Sequence, residues 1–316
     1  MRIGVNIGPQ RGQYRDKVAQ LVADGQAAEK SGFASVWIPQ YPDDFDAMTA
    51  AALVGHGTER LEIGTAVVPF QSRHPVAMAQ QALSTQAACA GRFVLGAGPS
   101  HHWIITDMLG LPYERPAHLV RNYLQVLGAA FSGPGRVDVD NDVYRVHNDL
   151  DVTDLQLPIL LAALAPVMLR LAGEHASGTI LWMADERAVG DHVVPRITKA
   201  AAEAGRPEPR VVASIPVTLC RPDEVDAVRE WANTALGHAE YSPNYQRLLE
   251  AGNASDVGDI CAAGDEAAIT QRLRSFADAG ATDMGVRVLA YGHSRDERIA
   301  SRDRTLAFLA SLAPEL

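Results

Sequence analysis

The sequence predicts a (β/α)8 barrel, an α/β fold, formed as a single domain over residues 1–316. Eight short apolar segments alternate with eight segments that show helical spacing. The stretch Arg60 to Trp103 holds two fully apolar strands around an Ala- and Gln-rich helix. This is the pattern of parallel neighbours that are covered on both faces. The alternative, an open doubly wound sheet, carries G-x-G-x-x-G after its first strand, and Gly4 and Gly8 do not form that motif.

The first half of the chain gives four strand–helix units. Strands are predicted at 2–7, 35–38, 61–68 and 93–95, and helices at 14–30, 46–56, 75–90 and 116–131. Asp46 is the expected N-cap of the second helix. Pro75 and Pro116 stand in first helical turns, where proline is tolerated.

The second half repeats the pattern with two interruptions. Strands are predicted at 158–162, 178–181, 210–217 and 283–289, and helices at 166–176, 186–204, 265–279 and 295–312. In 132–157, apolar and polar residues alternate around Asp140-Asn141-Asp142, which predicts a hairpin insertion after helix four. A helical insertion is predicted at 222–260, between strands seven and eight, with a break at Tyr241 to Tyr245.

Charge and composition exclude several classes of partner. The net charge of −10 disfavours nucleic acid. No apolar run approaches the roughly 20 residues that span a bilayer, so no membrane is expected. Cys89, Cys220 and Cys261 are far apart among apolar residues and are interpreted as buried, reduced thiols. With an N-terminus that enters a strand at once, these features predict a cytoplasmic protein.

The chemistry of such a barrel lies at the C-terminal ends of its strands. These ends carry no lysine for Schiff-base chemistry and no pair of carboxylates for acid–base work. His101, His102 and His293 lie in barrel loops without a carboxylate beside them, so no metal site is expected. The ends instead offer small residues such as Gly98, together with aromatic residues and backbone amides. They suit a large planar cofactor that brings its own chemistry, and tight packing at the rim is the alternative explanation for the Gly and Ala positions.

The chain resembles the luciferase-like monooxygenase superfamily, especially the actinobacterial branch that uses the 5-deazaflavin coenzyme F420. The resemblance is carried by EKSGFASVWIPQ, RLEIGTAVVP, RHPVAMAQQALSTQAACAGRFVLGAGPSH, PILLAALAPVMLRLAGEHASGTILWM and the GDEAAITQRLRSFADAGATD region. It implies a (β/α)8 barrel with a flavin or deazaflavin across its C-terminal mouth. It favours coenzyme F420, with FMN as the alternative.

The resemblance also implies a set of cofactor contacts. A cis peptide is expected at Ala66-Val67, in a bulge after strand three that meets the cofactor ring. Gln40 stands where many deazaflavin relatives carry an acidic residue. The turn after strand five would be formed by Ala163, Leu164 and Ala165, and the tail phosphate would bind at Trp182, Met183 and Ala184, where helix six begins. Arg287 is interpreted as part of an internal salt bridge rather than as an anion contact.

His101 is the expected acid–base group. It stands, by alignment offset, where a sugar-phosphate-oxidising relative has a proposed proton donor, and histidine titrates near neutral pH. Tyr41, His102 and Trp103 are expected to form the substrate wall.

Three functions stay open from the sequence. The first is an oxidoreductase that transfers hydride between coenzyme F420 and a small organic substrate. The second is an FMN-dependent monooxygenase, and the third is a non-catalytic flavin-binding barrel. A homodimer is also expected, as relatives commonly pair through outer helices. The Ala-rich face of Ala47, Ala50, Ala51 and Leu53 either forms that contact or packs on the barrel.

Overall fold

The computed structural model describes residues 1–8, 16–131, 135–151, 156–237 and 242–315. Its strands are β1 Arg2–Asn6, β2 Ser35–Ile38, β3 Glu62–Thr65, β4 Val68–Pro69, β5 Phe93–Gly98, β6 Arg136–Asp140, β7 Arg145–Asp149, β8 Ile159–Leu161, β9 Gly178–Trp182, β10 Arg210–Ser214, β11 Pro216–Leu219, β12 Ala262–Gly264 and β13 Asp283–Val288. Its helices are α1 Lys17–Lys30, α2 Ala47–His56, α3 Pro75–Ala88, α4 Pro116–Phe131, α5 Pro166–His175, α6 Val194–Glu203, α7 Val225–Leu236, α8 Pro243–Ala251, α9 Val257–Ile260, α10 Glu266–Asp278 and α11 Arg295–Leu312.

A closed parallel barrel is formed by β1, β2, β3, β5, β8, β9, β10 and β13 in that order, and β13 pairs with β1 to complete the ring. The predicted (β/α)8 barrel is therefore confirmed. Strand seven is split: β10 ends at Ser214, and β11 continues beyond Ile215 to pair with both β13 and β12. The sequence did not predict β12.

Local signals set the helix boundaries as expected. The Asp46 side chain accepts a hydrogen bond from the Thr49 amide, and α2 starts at the next residue. Pro75 and Pro116 begin α3 and α4. Residues 14 and 15 of the predicted first helix lie outside the described residues.

The indole of Trp37 fills the centre of the barrel. Three glycines on neighbouring strands leave the space that it occupies. A Cβ on Gly64 would lie 2.2 Å from Trp37 Cζ3, and one on Gly4 or Gly285 would lie 3.0 or 3.3 Å from the indole. Trp37 packs with Val94, Leu160, Ile180 and Val212 in an interior cluster that is separate from the large core between strands and helices.

An ionic network closes the N-terminal end of the barrel. Arg210 donates hydrogen bonds to Asp283 at 2.7 and 2.9 Å and also binds Glu62. Arg2 pairs with the same Asp283 at 2.7 Å. The guanidinium of Arg210 also lies 5.5 Å from the centre of the Trp37 ring, so the network supports the indole from below.

The two irregular regions have the predicted secondary structure. β6 and β7 pair antiparallel, with Val139 opposite Val146, and α7 and α8 lie between β11 and β12. Residues 132–134, 152–155 and 238–241 of these regions lie outside the described residues. The division into one domain with insertions at 132–157 and 222–260 stays a prediction.

Burial decides two points that the sequence raised. Of the two interpretations of the Ala-rich face of α2, packing within the chain holds for Ala47, Ala50 and Ala51, which are buried; Leu53 alone is exposed. All three cysteines are free thiols, but only Cys89 and Cys261 are buried, while Cys220 is half-buried. Within the described residues, no helix is long and apolar enough to cross a membrane.

Candidate active site

The floor of the barrel mouth is formed by the link between β3 and β4. The Ala66-Val67 peptide is cis, as predicted. Both side chains are half-buried and pack on the interior cluster around Trp37. Ala66 N donates to Ile38 O at 2.8 Å, which ties the link to the end of β2. The result is a small apolar surface over the barrel interior.

Glycines on β5 allow this link to lie close to the sheet. A Cβ on Gly96 would lie 1.8 Å from Thr65 O, so only glycine fits there. Thr65 Oγ1 completes the contact by donating to Gly96 O at 2.8 Å and accepting from Gly96 N at 3.0 Å. A Cβ on Gly98 would lie 2.8 Å from the Cβ of Ala162. Glycine at this position therefore allows the end of β8 to lie close to the end of β5.

Gln40 and Tyr41 follow β2. The Gln40 amide is used locally: its Oε1 accepts from Ala47 N at 2.8 Å, at the start of α2, and its Nε2 donates to Tyr41 O at 3.3 Å. Both side chains are half-buried. The cofactor contact of Gln40 stays a prediction. Its side-chain amide also stabilises the loop between β2 and α2 through these two hydrogen bonds.

The turn after β8 contains Ala163, Leu164 and Ala165. Ala163 is fully buried, and the Leu164 carbonyl lies 2.8 Å from His192 Nε2. Ala165 is the N-cap of α5 without a side-chain cap bond, and Pro166 follows it in the first turn. The amides at the start of α5 thus meet no side chain of the cap residue.

After β9, the predicted phosphate site carries a carboxylate of the protein itself. Met183 is held in the left-handed region (φ 58°), and its amide donates to Ser214 O at 3.0 Å. Asp185 is buried, and its Oδ1 accepts from Ala188 N at 2.7 Å. The Asp185 carboxylate would repel a phosphate bound at Trp182, Met183 and Ala184. Phosphate binding by these three residues stays a prediction.

His101 stacks with two aromatic rings. The chain turns at Ser100 (φ 60°) immediately after β5 and its Pro99. The His101 ring then lies 5.7 Å from Trp103 and 5.6 Å from Tyr245, centroid to centroid, at interplanar angles of 25° and 29°. Trp103 is 39% exposed, so this stack reaches the surface of the mouth.

His102 faces away from this stack. Its ring makes an edge contact with Tyr113 at 5.5 Å and lies near Thr106, and the side chain is exposed. The sequence grouped His102 with Trp103 in one wall, but only Trp103 shares the stack of His101.

The sequence did not predict that Tyr245 belongs to the candidate site. It is carried by α8, far along the chain, and the only sequence signal was the predicted break from Tyr241 to Tyr245. Burial raises the pKa of the Tyr245 hydroxyl, and the neighbouring Tyr41 raises it further. Tyr245 therefore stays neutral at working pH, and its stack on His101 brings α8 to the loop after β5.

Arg287 faces the mouth rather than a carboxylate. Side chains alternate along a strand, and since Asp283 and Gly285 face the barrel interior, Arg287 does too. Its guanidinium lies 5.8 Å from the centre of the Trp182 ring. Among the described residues it has no ion pair, so the expected internal salt bridge is wrong.

Nothing in the described ranges groups three His, Cys, Asp or Glu side chains around a possible metal ion. Two surface cavities, of about 800 and 380 Å³, lie between α10 and α11 and beside the β6–β7 hairpin. Both are remote from the strand ends that carry the predicted site.

The sequence model of the luciferase-like monooxygenases matches residues 1–283. The chain belongs to the luciferase-like monooxygenase family. It is 26% identical to 5,10-methylenetetrahydromethanopterin reductase from Methanopyrus kandleri over 208 residues. This match covers 60% of this chain and 58% of the relative. It is 29% identical to F420-dependent hydroxymycolic acid dehydrogenase from Mycobacterium tuberculosis over 221 residues. That match covers 65% of this chain and 59% of the relative. The match spans less than two thirds of either relative's length.

Solved structures of luciferase-like proteins share the fold along the whole chain. The coenzyme F420-dependent tetrahydromethanopterin reductase from Methanopyrus kandleri superposes with a TM-score of 0.76 at 20% identity, over 99% of this chain and 98% of that one. The oxygenating constituent of 3,6-diketocamphane monooxygenase from Pseudomonas putida, in complex with FMN, gives 0.78 at 16% identity, over 100% and 99%. At these identities the likeness shows the fold alone.

Proposed function

We propose that this chain is an oxidoreductase that transfers hydride between the deazaflavin coenzyme F420 and a small organic substrate. The observation that carries the proposal is His101, half-buried in an aromatic stack three residues after Gly98, at the same end of the barrel as the apolar floor. Hydride transfer at a carbon centre needs a proton partner, and histidine titrates near neutral pH. F420-dependent relatives support the choice of cofactor.

The residues at the mouth fit a flat polycyclic cofactor. Ala66, Val67 and Gly98 offer an apolar surface without bulky side chains. Asn6 Oδ1, at the end of β1, is buried without a hydrogen-bond partner in the described part of the chain, which suits the polar edge of a heterocycle. The bound cofactor supplies the hydride chemistry, while the protein binds and orients it and His101 moves a proton at a ring nitrogen.

A binding and turnover assay tests this proposal. The protein is titrated with oxidised and reduced coenzyme F420 and with FMN, in air and without oxygen. We expect micromolar or tighter affinity for coenzyme F420 and oxygen-independent oxidation of its reduced form by an organic acceptor. Oxygen consumption with reduced FMN would favour the FMN-dependent monooxygenase instead. Tight binding without turnover would favour a non-catalytic flavin-binding barrel.

Assembly and location belong to the same proposal. Three free thiols are typical of a reducing compartment, which supports a cytoplasmic location. A homodimer remains our expectation, through an outer face other than the buried alanines of α2. Light scattering at micromolar concentration tests it: we expect about twice the chain mass, and a mass near 33.9 kDa would contradict the dimer.

A further inference from the structure

Helix α8 is fastened to the barrel rim at its C-terminal end. Asn253 N and Ala254 N, just after the helix, donate to Asp185 Oδ2 at 2.5 and 3.1 Å. A Cβ on Gly252 would lie 2.4 Å from Asp185 Oδ1, so glycine permits this approach. Arg187 adds a hydrogen bond to Asn253 Oδ1 at 2.7 Å. The carboxylate after β9 therefore holds both the start of the next helix and the end of α8.

The other end of α8 lies over the loop after β5. Tyr245, in the first turn of the helix, stacks on His101 at 5.6 Å. In the barrel, β8 alone separates β5 from β9, a distance of about 10 Å for two strand spacings. From Tyr245 to Ala251, its last residue, helix α8 rises about 9 Å, and Gly252 and Asn253 extend this reach to the Asp185 carboxylate. The two attachments therefore place α8 across the mouth, above the end of β8.

We infer that Tyr245 is a positioning residue for the proposed hydride transfer, and that α8 forms one side of the substrate pocket. This inference rests on the proposed function. The Tyr245 ring restricts the His101 imidazole by stacking on it, as the Trp103 ring also does. With Tyr41 and Trp103 it presents aromatic surface to the substrate, which selects a molecule with an apolar or planar face.

The contact is tested first without any turnover. In protein labelled at histidine, the carbon-bound ring protons of His101 are assigned by comparison with His101→Asn. In Tyr245→Leu the loss of a neighbouring ring current shifts these signals, whereas Tyr245→Phe keeps them near the wild-type positions. Tyr144→Leu, in the hairpin, controls for loss of a tyrosine elsewhere. Unchanged His101 signals in Tyr245→Leu overturn the inference.

Kinetics then test the role in the reaction. We expect Tyr245→Leu to lower kcat/KM by about 10- to 100-fold, because a misplaced catalytic group is costly. Tyr245→Phe restores most of it, and the Kd for coenzyme F420 stays the same in both variants. In a His101→Asn background, Tyr245→Leu should add less than about twofold if it acts through His101. Additive losses in the double variant overturn the positioning role. Wild-type protein without any turnover overturns the proposed function instead, and the His101 spectra then test whether Tyr245 contacts His101.

Discussion

The histidines near the barrel mouth have different tasks. His74 is the N-cap of α3, with Nδ1 accepting from Val76 N at 3.3 Å. His192 Nε2 lies 2.8 Å from Leu164 O, and His102 is exposed beside Tyr113. His101 alone among these four stacks with two aromatic rings, those of Trp103 and Tyr245. This distinction supports His101 as the acid–base group, and residue types alone do not reveal it.

Replacing His101 by asparagine removes the proton carrier and keeps a polar side chain of similar reach. We expect His101→Asn to lower kcat by about 10²–10⁴, the usual contribution of general acid–base catalysis, and to leave the Kd for coenzyme F420 nearly unchanged. Steady-state turnover and cofactor titration measure the two effects. His147→Asn, on the exposed hairpin, is the matched control and should behave as wild type. A fall in cofactor affinity with normal kcat would make His101 a binding residue.

At the scale of the element, Asp185 connects three segments. It caps the helix that begins after β9 and accepts both amides that follow α8. We expect Asp185→Ala to lower the free energy of unfolding by about 2–4 kcal/mol, because a helix cap is lost and buried N–H groups lose their partners. Urea unfolding followed by circular dichroism measures this change.

Asp265 gives a control that separates the two parts of this effect. It caps α10 by accepting from Ala268 N at 2.9 Å, and within the described residues its carboxylate makes no hydrogen bond to another element. Asp265→Ala should cost only about 1 kcal/mol, the value of a cap. Equal losses in the two variants would show that Asp185 does not hold α8. In Asp185→Ala we also expect the Tyr245 contact with His101 to weaken in the spectra.

The boundaries of elements were the part best predicted from sequence. The predicted α4 and α11 coincide with the observed helices, and Asp46 caps α2, because capping residues and prolines act through their immediate neighbours. Strand β12 was not predicted, since it forms by pairing with β11, more than forty residues earlier, and the π-helical turn Ile104–Met108 was not predicted either. The stack of His101 with Tyr245 joins residues 144 positions apart. No local pattern encodes that contact, so the site could be predicted only in part.

At the scale of the whole molecule, the barrel interior has a charged base, a tryptophan centre and an apolar top. Charges from Arg2, Glu62, Arg210 and Asp283 meet at the N-terminal end. The Trp37 ring separates them from the floor formed by Ala66 and Val67. The barrel therefore has buried ion pairs at its base and the candidate site at its mouth. This separation is typical of barrels of this kind.

The base makes barrel stability dependent on acid. Burial by itself raises the pKa of Asp283, but the hydrogen bonds and charge of Arg210 outweigh it and bring the pKa below its ordinary value of 3.8. A carboxyl whose pKa is lowered in the folded state stabilises the protein fully above its unfolded pKa, and this contribution is lost as pH falls through the folded pKa. The free energy of unfolding should therefore fall as the pH drops below about 4.

Asp283→Asn tests this account directly. The side chain of Asp283 is 2% exposed, so we expect a loss of about 3 kcal/mol at pH 7, where the ion pair is intact. Urea unfolding at pH 7, 5, 4 and 3 should show the difference in unfolding free energy between wild type and variant shrinking at the lowest pH, because wild-type Asp283 is then becoming neutral.

Asp223→Asn is the control and breaks an exposed pair with Arg221. The hydrogen bonds and charge of Arg221 also lower the pKa of the Asp223 carboxyl. Water and salt screen exposed pairs, so this control should leave the unfolding midpoint unchanged at pH 7. A gap between wild type and Asp283→Asn that stays constant from pH 7 to 3 would mean that the variant disturbs packing under Trp37 rather than a charge.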